Sequence, residues 1–280
     1  MPDINPRRWL GASLFAVLAV VPLALGLGYA LLYSLGLVGV LGQGFTLRHW
    51  AEVLGASALW QSLGYSLYVA TVSMGLATGL ALGLTLWRRR AFERGPLSFL
   101  IYVPLTLPAL VMAFFVLQLT SQAGLLARMA AQAGAITEPR QFPSLVNDAA
   151  GAGIILTHVL MATPFLLILL LNLYHSTRLP ELTQLAQSLG ASPAQVRRRV
   201  EMPVLLRAAL PTLMLYWLFT FGSYEIPLLL GREAPQMVSV LVERKLMRYN
   251  LADKPQAYAI AVVYATLTLG LVAGWLRKRL

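Results

Sequence analysis

Long apolar runs alternate with short polar interruptions along this chain, and the runs have the length needed to cross a bilayer. Residues 10–35, 63–87, 97–119, 151–173, 208–230 and 258–276 are predominantly apolar. A spanning helix needs about 20 such residues. Hydrocarbon offers no water to an open strand edge, so runs of this kind are helical. The first run follows Arg7 and Arg8. It is about twice as long as a signal-peptide core of roughly 7–15 residues, which predicts a retained first span. The pattern predicts an all-α membrane protein with six transmembrane helices, forming one transmembrane domain over residues 1–280 without an internal repeat or a soluble domain.

The polar interruptions differ in character. Segments 120–150 and 232–257 are long enough to hold structure of their own. Within the second, Val238, Leu241, Val242 and Leu246 form a helical stripe, with Glu243, Arg244, Lys245 and Arg248 off it. Segment 178–207 is the most informative. Leu182, Leu185, Ala186 and Leu189 recur at helical spacing, and Gly190 follows as a residue that closes helices by tolerating positive φ. Ser192-Pro193-Ala194-Gln195 then reads as an N-cap serine, a first-turn proline and a glutamine able to cap back. A second helix is expected through Val196 and Val200 until Pro203 limits it. The expected product is a helix-turn-helix bent at Gly190.

Composition agrees with the pattern. The chain is 58% hydrophobic and 12% charged, whereas soluble domains are about 25% charged. No cysteine is present, which removes disulfides and Cys-ligated metals. The net charge of +11 could suggest nucleic acid, but its distribution suggests topology. Of the 22 Lys and Arg residues, 14 fall on the amino-terminal side of the predicted membrane and 8 on the other. The 11 acids divide 4 and 7, leaving +10 against +1. Basic excess marks the cytoplasmic face, so both termini and segment 178–207 are expected in the cytoplasm. The charge then calls for a lipid bilayer as partner and for no nucleic acid.

Gly190, nine further residues and then Val200-Glu201-Met202-Pro203 resemble the "EAA---G---------I-LP" loop of permease subunits of ATP-binding-cassette importers. Leu189-Gly190-Ala191-Ser192 and Met202-Pro203-Val204-Leu205-Leu206-Arg207 are close to that form, while Gln184-Leu185-Ala186 stands where E-A-A is usual. Phe221-Gly222, Pro227 and Leu230-Gly231 in span five resemble the branch handling polyamines, ferric iron, sulfate, molybdate or thiamine. The resemblance implies a type I importer in the bacterial plasma (inner) membrane, with 182–190 as a coupling helix seated in a separate ATPase subunit. On that implication Leu182, Gln184, Leu185, Ala186, Leu189, Gly190, Ala191, Ser192 and Pro203 are the ATPase-coupling residues. It further implies a second permease subunit, in a homo- or heterodimer, and an extracytoplasmic solute-binding protein. No Gly-x4-Gly-Lys-Ser/Thr run occurs here. ATP and magnesium are therefore expected on the partner ATPase, and no cofactor on this chain.

Candidate residues for a solute pathway come from polar positions in the spans. Glu225 lies about 17 residues into a helix expected to start near Ala208, hence roughly 25 Å across a core about 30 Å thick. An ionisable group at such depth usually faces an interior or aqueous cavity. Gly222 and Pro227 bracket it and are expected to break the helix, exposing backbone polar groups that suit a cavity wall. Ser223, Tyr224 and Glu225 could then meet a solute, or Glu225 could form a structural ion pair with Arg232 or Arg244. Tyr65 in span two and Thr157 in span four could contact solute or make interhelical hydrogen bonds. His158 lacks companions at ligand spacing, so no metal is assigned. A carboxylate flanked by tyrosines suits an organic cation, which favours a polyamine-like solute. An intramembrane enzyme would need a nucleophile with a facing base, and none is identified. The alternative function is a secondary transporter or channel without an ATPase partner, although no inverted repeat is visible.

Overall fold

The computed structural model describes residues 11–277 apart from 12, 40, 41, 43 and 96. Among the described residues there is no strand, and six helices are long and apolar enough to cross a membrane. In chain order the elements are α1 (Ser13–Ser34), α2 (Arg48–Gly55), α3 (Ser57–Arg94), α4 (Ala109–Thr120) and α5 (Leu125–Gln132). They continue with α6 (Ala152–Ser176), α7 (Leu179–Ser188), α8 (Pro193–Phe221), α9 (Glu225–Leu230), α10 (Val238–Met247) and α11 (Asp253–Arg277). The chain forms two compact units, Met1–Leu63 with Val238–Leu280, and Gly64–Met237.

In the first unit α11 packs against α1, α2 and α10. Tyr33 and Tyr258 meet at a 36° tilt with ring centroids 4.5 Å apart, and Tyr29 meets Tyr258 edge-on at 5.9 Å. Each such ring pair adds about 0.5–1.5 kcal/mol beyond its buried area. One end of the unit is polar. Arg48 Nε donates to Glu52 Oε1 at 2.7 Å, Gln256 Nε2 donates to Glu52 Oε2 at 2.8 Å, and Lys245 Nζ donates to Gln256 Oε1 at 2.6 Å. The hydrogen bond from Arg48 holds the Glu52 carboxyl below its ordinary range. The expected stripe on α10 is buried at Val238 and Leu241, joined by Val240, while Val242 and Leu246 are half-buried.

The second unit has two apolar centres. One joins Leu166, Leu167 and Leu170 of α6 to Ala77 and Ala81 of α3 and to Leu205 and Ala209 of α8. The alanines let the backbones approach closely, which is how membrane helices gain packing without a hydrophobic drive from water. The other collects Val69, Ala113, Val116, Ile154, Ile226 and Leu230.

Three spans differ in their bounds from the sequence expectation, and proline accounts for the third. The third span, expected from residue 97, starts at Ala109. Leu97–Leu100 is one isolated turn, Pro104–Thr106 a 3-10 turn, and Pro108 the residue before the helix. The second span extends beyond the expected 63–87 at both ends, as α3. The fifth was expected as one helix over 208–230. It runs continuously from Pro193 to Phe221 and stops nine positions short of Leu230, with α9 as a separate piece. Pro203 does not end the helix before it. A wide π turn at Arg197–Glu201 precedes the proline, with Met202 N–H donating to Arg197 O, so the ladder has already skipped a residue where the ring arrives.

Candidate functional site

Segment 177–203 is built as a rigid bracket. Arg178 takes a left-handed conformation (φ 52°) and turns the chain away from α6. Fully buried Leu179 then anchors the start of α7. Beyond it α7 leaves Leu182 and Leu185 exposed by 40% and 59%, and Leu189 just past its end by 80%. Gln184 is exposed and Ala186 half-buried on the same short helix. An apolar face without a cover within the chain is the result.

Local chemistry fixes both sides of the bend. Gly190 N–H donates to Gln187 O at 2.9 Å and Ala191 N–H to Ala186 O at 3.0 Å, the paired bonds of a Schellman ending. Gly190 has φ +86°, and a Cβ there would meet nothing within 4 Å. Glycine is thus required by the backbone angle and not by crowding. Ser192 N–H then donates to Gln195 Oε1 at 2.8 Å, and Gln195 N–H donates to Ser192 Oγ at 3.4 Å. Both halves of the expected capping box are present, with Pro193 in the first turn.

Behind the bracket lies a polar cluster that local sequence patterns do not announce. Glu201 is 6% exposed. Its Oε1 accepts hydrogen bonds from Thr183 Oγ1 at 3.1 Å and Tyr174 Oη at 3.3 Å. The Arg89 guanidinium sits 3.7 Å from the Tyr174 ring centroid, and His175 Nε2 is 2.8 Å from Glu93 Oε1. These partners lie 18 to 85 positions apart, so no spacing rule would have paired them.

The second place of interest is the interruption between α8 and α9. Gly222 N–H donates to Leu218 O and Ser223 N–H to Thr220 O, both at 3.1 Å. α9 begins at Glu225. The break therefore precedes Pro227, which sits in the first turn of α9, where its missing N–H costs nothing. Glu225 is in the opening turn of a short helix and not deep in a long one. A cavity of about 290 Å³ opens here, lined by His158 and Met161 of α6, Tyr216 and Phe219 of α8, Gly222 to Ile226, and Ala109.

Gly222, Ser223, Tyr224 and Glu225 thus stand together on one wall. Glu225 is exposed, and among the described residues the ion pairs within its unit, Arg89–Glu93 and His175–Glu93, do not include it. Pro227 is buried beneath that wall. Tyr65 is 8% exposed and packs in the core with Val69 and Ile154. Thr157 donates to Gly153 O at 2.8 Å within its own helix. Neither Tyr65 nor Thr157 is among the cavity-lining residues. His158, a polar residue of the fourth span that is 2% exposed, is among them.

Residues 75–280 match the family described as binding-protein-dependent transport system inner membrane component. No curated protein sequence matches the chain. Two solved structures are similar in fold. One is a bacterial ABC transporter involved in the import of the acidic polysaccharide alginate, with TM-score 0.70, 18% identity, and coverage of 98% of this chain and 97% of that one. The other is a bacterial alginate ABC transporter in complex with alginate pentasaccharide-bound periplasmic protein, with TM-score 0.68, 16% identity, and coverage of 95% and 90%. With the family match running over 75–280, the chain belongs to the binding-protein-dependent transport system inner membrane components, the multi-pass permease subunits of type I ATP-binding-cassette importers.

Proposed function

We propose that this chain forms one half of a solute pathway and couples it to a separate ATPase through α7. The exposed leucine face of α7, held on a doubly capped bend, carries this reading. An apolar helix face of this size on a polar segment needs a soluble partner with a groove. The ATPase supplies that groove and binds ATP and magnesium. Both termini and α7 face the cytoplasm, in keeping with the basic excess there. A second permease subunit, identical or different, closes the pathway, and an extracytoplasmic binding protein delivers the solute. Closing of the ATPase on ATP shifts the population between inward-open and outward-open arrangements.

The solute on this reading is a small polar or charged molecule, and a polyamine-like cation is favoured. The cavity wall supplies the Glu225 carboxylate and the Tyr216, Phe219 and Tyr224 rings, with no Lys or Arg among its lining residues. Carboxylate and aromatic faces attract an ammonium, through charge and through cation–π contact. The acidic polysaccharide named for the two similar structures would need the opposite charge in the wall. In proteoliposomes holding the full complex, labelled spermidine is expected to enter only with ATP, and Glu225→Gln is expected to lose most of that uptake. Uptake by the chain without an ATPase or ATP would point instead to a secondary transporter or channel.

A further inference from the structure

We propose that Glu201 is a positioning residue for the transport cycle, a clamp that makes α7 and α8 move as one body. The inference rests on the docking role of α7 and names the side chain that passes its movement to the helix walling the cavity. Glu201 sits in the wide turn at the foot of α8, buried to 6% exposure. Its Oε1 receives the Thr183 hydroxyl of α7 at 3.1 Å and the Tyr174 hydroxyl of α6 at 3.3 Å. Three helices thus converge on one oxygen.

The other hydrogen bonds of the bend stay within their own sides. The Gly190 and Ala191 amides return to α7, and the capping box closes on the first turn of α8. Among the described residues, the side-chain hydrogen bond joining α7 to α8 is the one between Thr183 and Glu201. A buried carboxylate is a costly way to fill space, and an aliphatic side chain would pack there more cheaply. What the carboxylate adds is direction, because hydrogen bonds weaken steeply off their line whereas apolar contacts slide. The lock is itself braced. Arg89 of α3 lies 3.7 Å from the Tyr174 ring centroid and 3.7 Å from Glu93, and Glu93 meets His175 at 2.8 Å. A push on α7 is therefore resisted at the foot of α6 and α3 and carried into α8.

The natural chain has no cysteine, so spin labels can be placed at Gln187→Cys on α7 and Leu215→Cys on α8 without further changes. Their separation is measured in the full complex, with its ATPase and second permease subunit, before and after ATP. With Glu201 present the separation stays constant as nucleotide binds. Glu201→Ala makes it respond to ATP, and Glu201→Gln, which keeps an acceptor oxygen, restores the constant value. Thr183→Val removes one donor while keeping shape. It raises the fraction of ATP-bound complexes with altered separation about tenfold, the scale of one hydrogen bond to a carboxylate. Should Glu201→Ala fail to insert, Thr183→Val decides alone. A constant separation in both variants overturns the clamp and leaves the docking role standing. A label at Gln187 that never senses the ATPase overturns the docking role and the clamp together.

Discussion

Gly190 and Glu225 show how differently two single residues can be read. At Gly190 the requirement is a backbone angle, φ +86°, with open space where a Cβ would stand. A residue with a Cβ in that conformation costs about 1–2 kcal/mol, and a β-branched one more. Gly190→Val is therefore expected to insert and express normally while ATP-driven uptake falls steeply. Quantitative uptake beside membrane abundance checks it, and full transport would contradict the tight turn. Gly190 and the Ser192–Gln195 cap were legible in the sequence because every bond they make closes within five positions. Glu201 was not, since its hydroxyl partners lie 18 and 27 positions away. Glu225 was found from polarity alone, yet its helix was misjudged, because the chain breaks three residues earlier at Gly222.

At the scale of elements, proline proved to be the residue whose meaning depended most on context. Pro104 opens a 3-10 turn and Pro108 caps the start of α4. Pro164 and Pro211 sit inside α6 and α8, Pro203 follows a π turn, and Pro227 hides in a first turn. In membrane helices, packing by neighbours and local widening satisfy the backbone groups that a proline frees, so spacing alone cannot separate a stop from a kink. The apolar stripe of α7 was legible from its spacing, but its burial was not: Leu179 is fully buried where α7 starts, whereas Leu182, Leu185 and Leu189 are exposed. The buried and the exposed leucines predict opposite phenotypes. Leu185→Glu and Leu189→Glu touch exposed positions, so the chain is expected to fold and insert but to lose its ATPase. Burying one leucine is worth about 1.5–3 kcal/mol, so each change weakens co-purification of the ATPase by roughly tenfold or more. Leu179→Ala instead empties a fully buried site, at about 2–5 kcal/mol, and lowers the yield of folded protein itself. ATPase capture by detergent-solubilised Leu185→Glu at the wild-type level would remove α7 from the interface.

For the whole molecule, the deepest consequence of the sequence is its sidedness. On the proposed topology, six spans and a basic excess of +10 against +1 favour α7 and both ends of the sequence on the cytoplasmic side. The same proposal puts the segment joining α10 to α11 on the other side. This matters for mechanism, because a docking helix can meet a cytoplasmic ATPase only if it is exposed on that face, while the delivering protein must find the opposite one. The absence of cysteine makes the arrangement measurable residue by residue. Ala186→Cys on α7 and Asn250→Cys between α10 and α11 introduce one thiol each, and Tyr249 beside the latter is fully exposed. In intact cells with a permeable outer envelope, a membrane-impermeant maleimide is expected to label Asn250→Cys at once. Ala186→Cys should be labelled only after the inner membrane is opened, and less so when the ATPase is bound. Labelling of Ala186→Cys in sealed cells would put the leucine face outside, where no ATPase exists, and the lever from α7 through Glu201 to the cavity would have nothing to drive it.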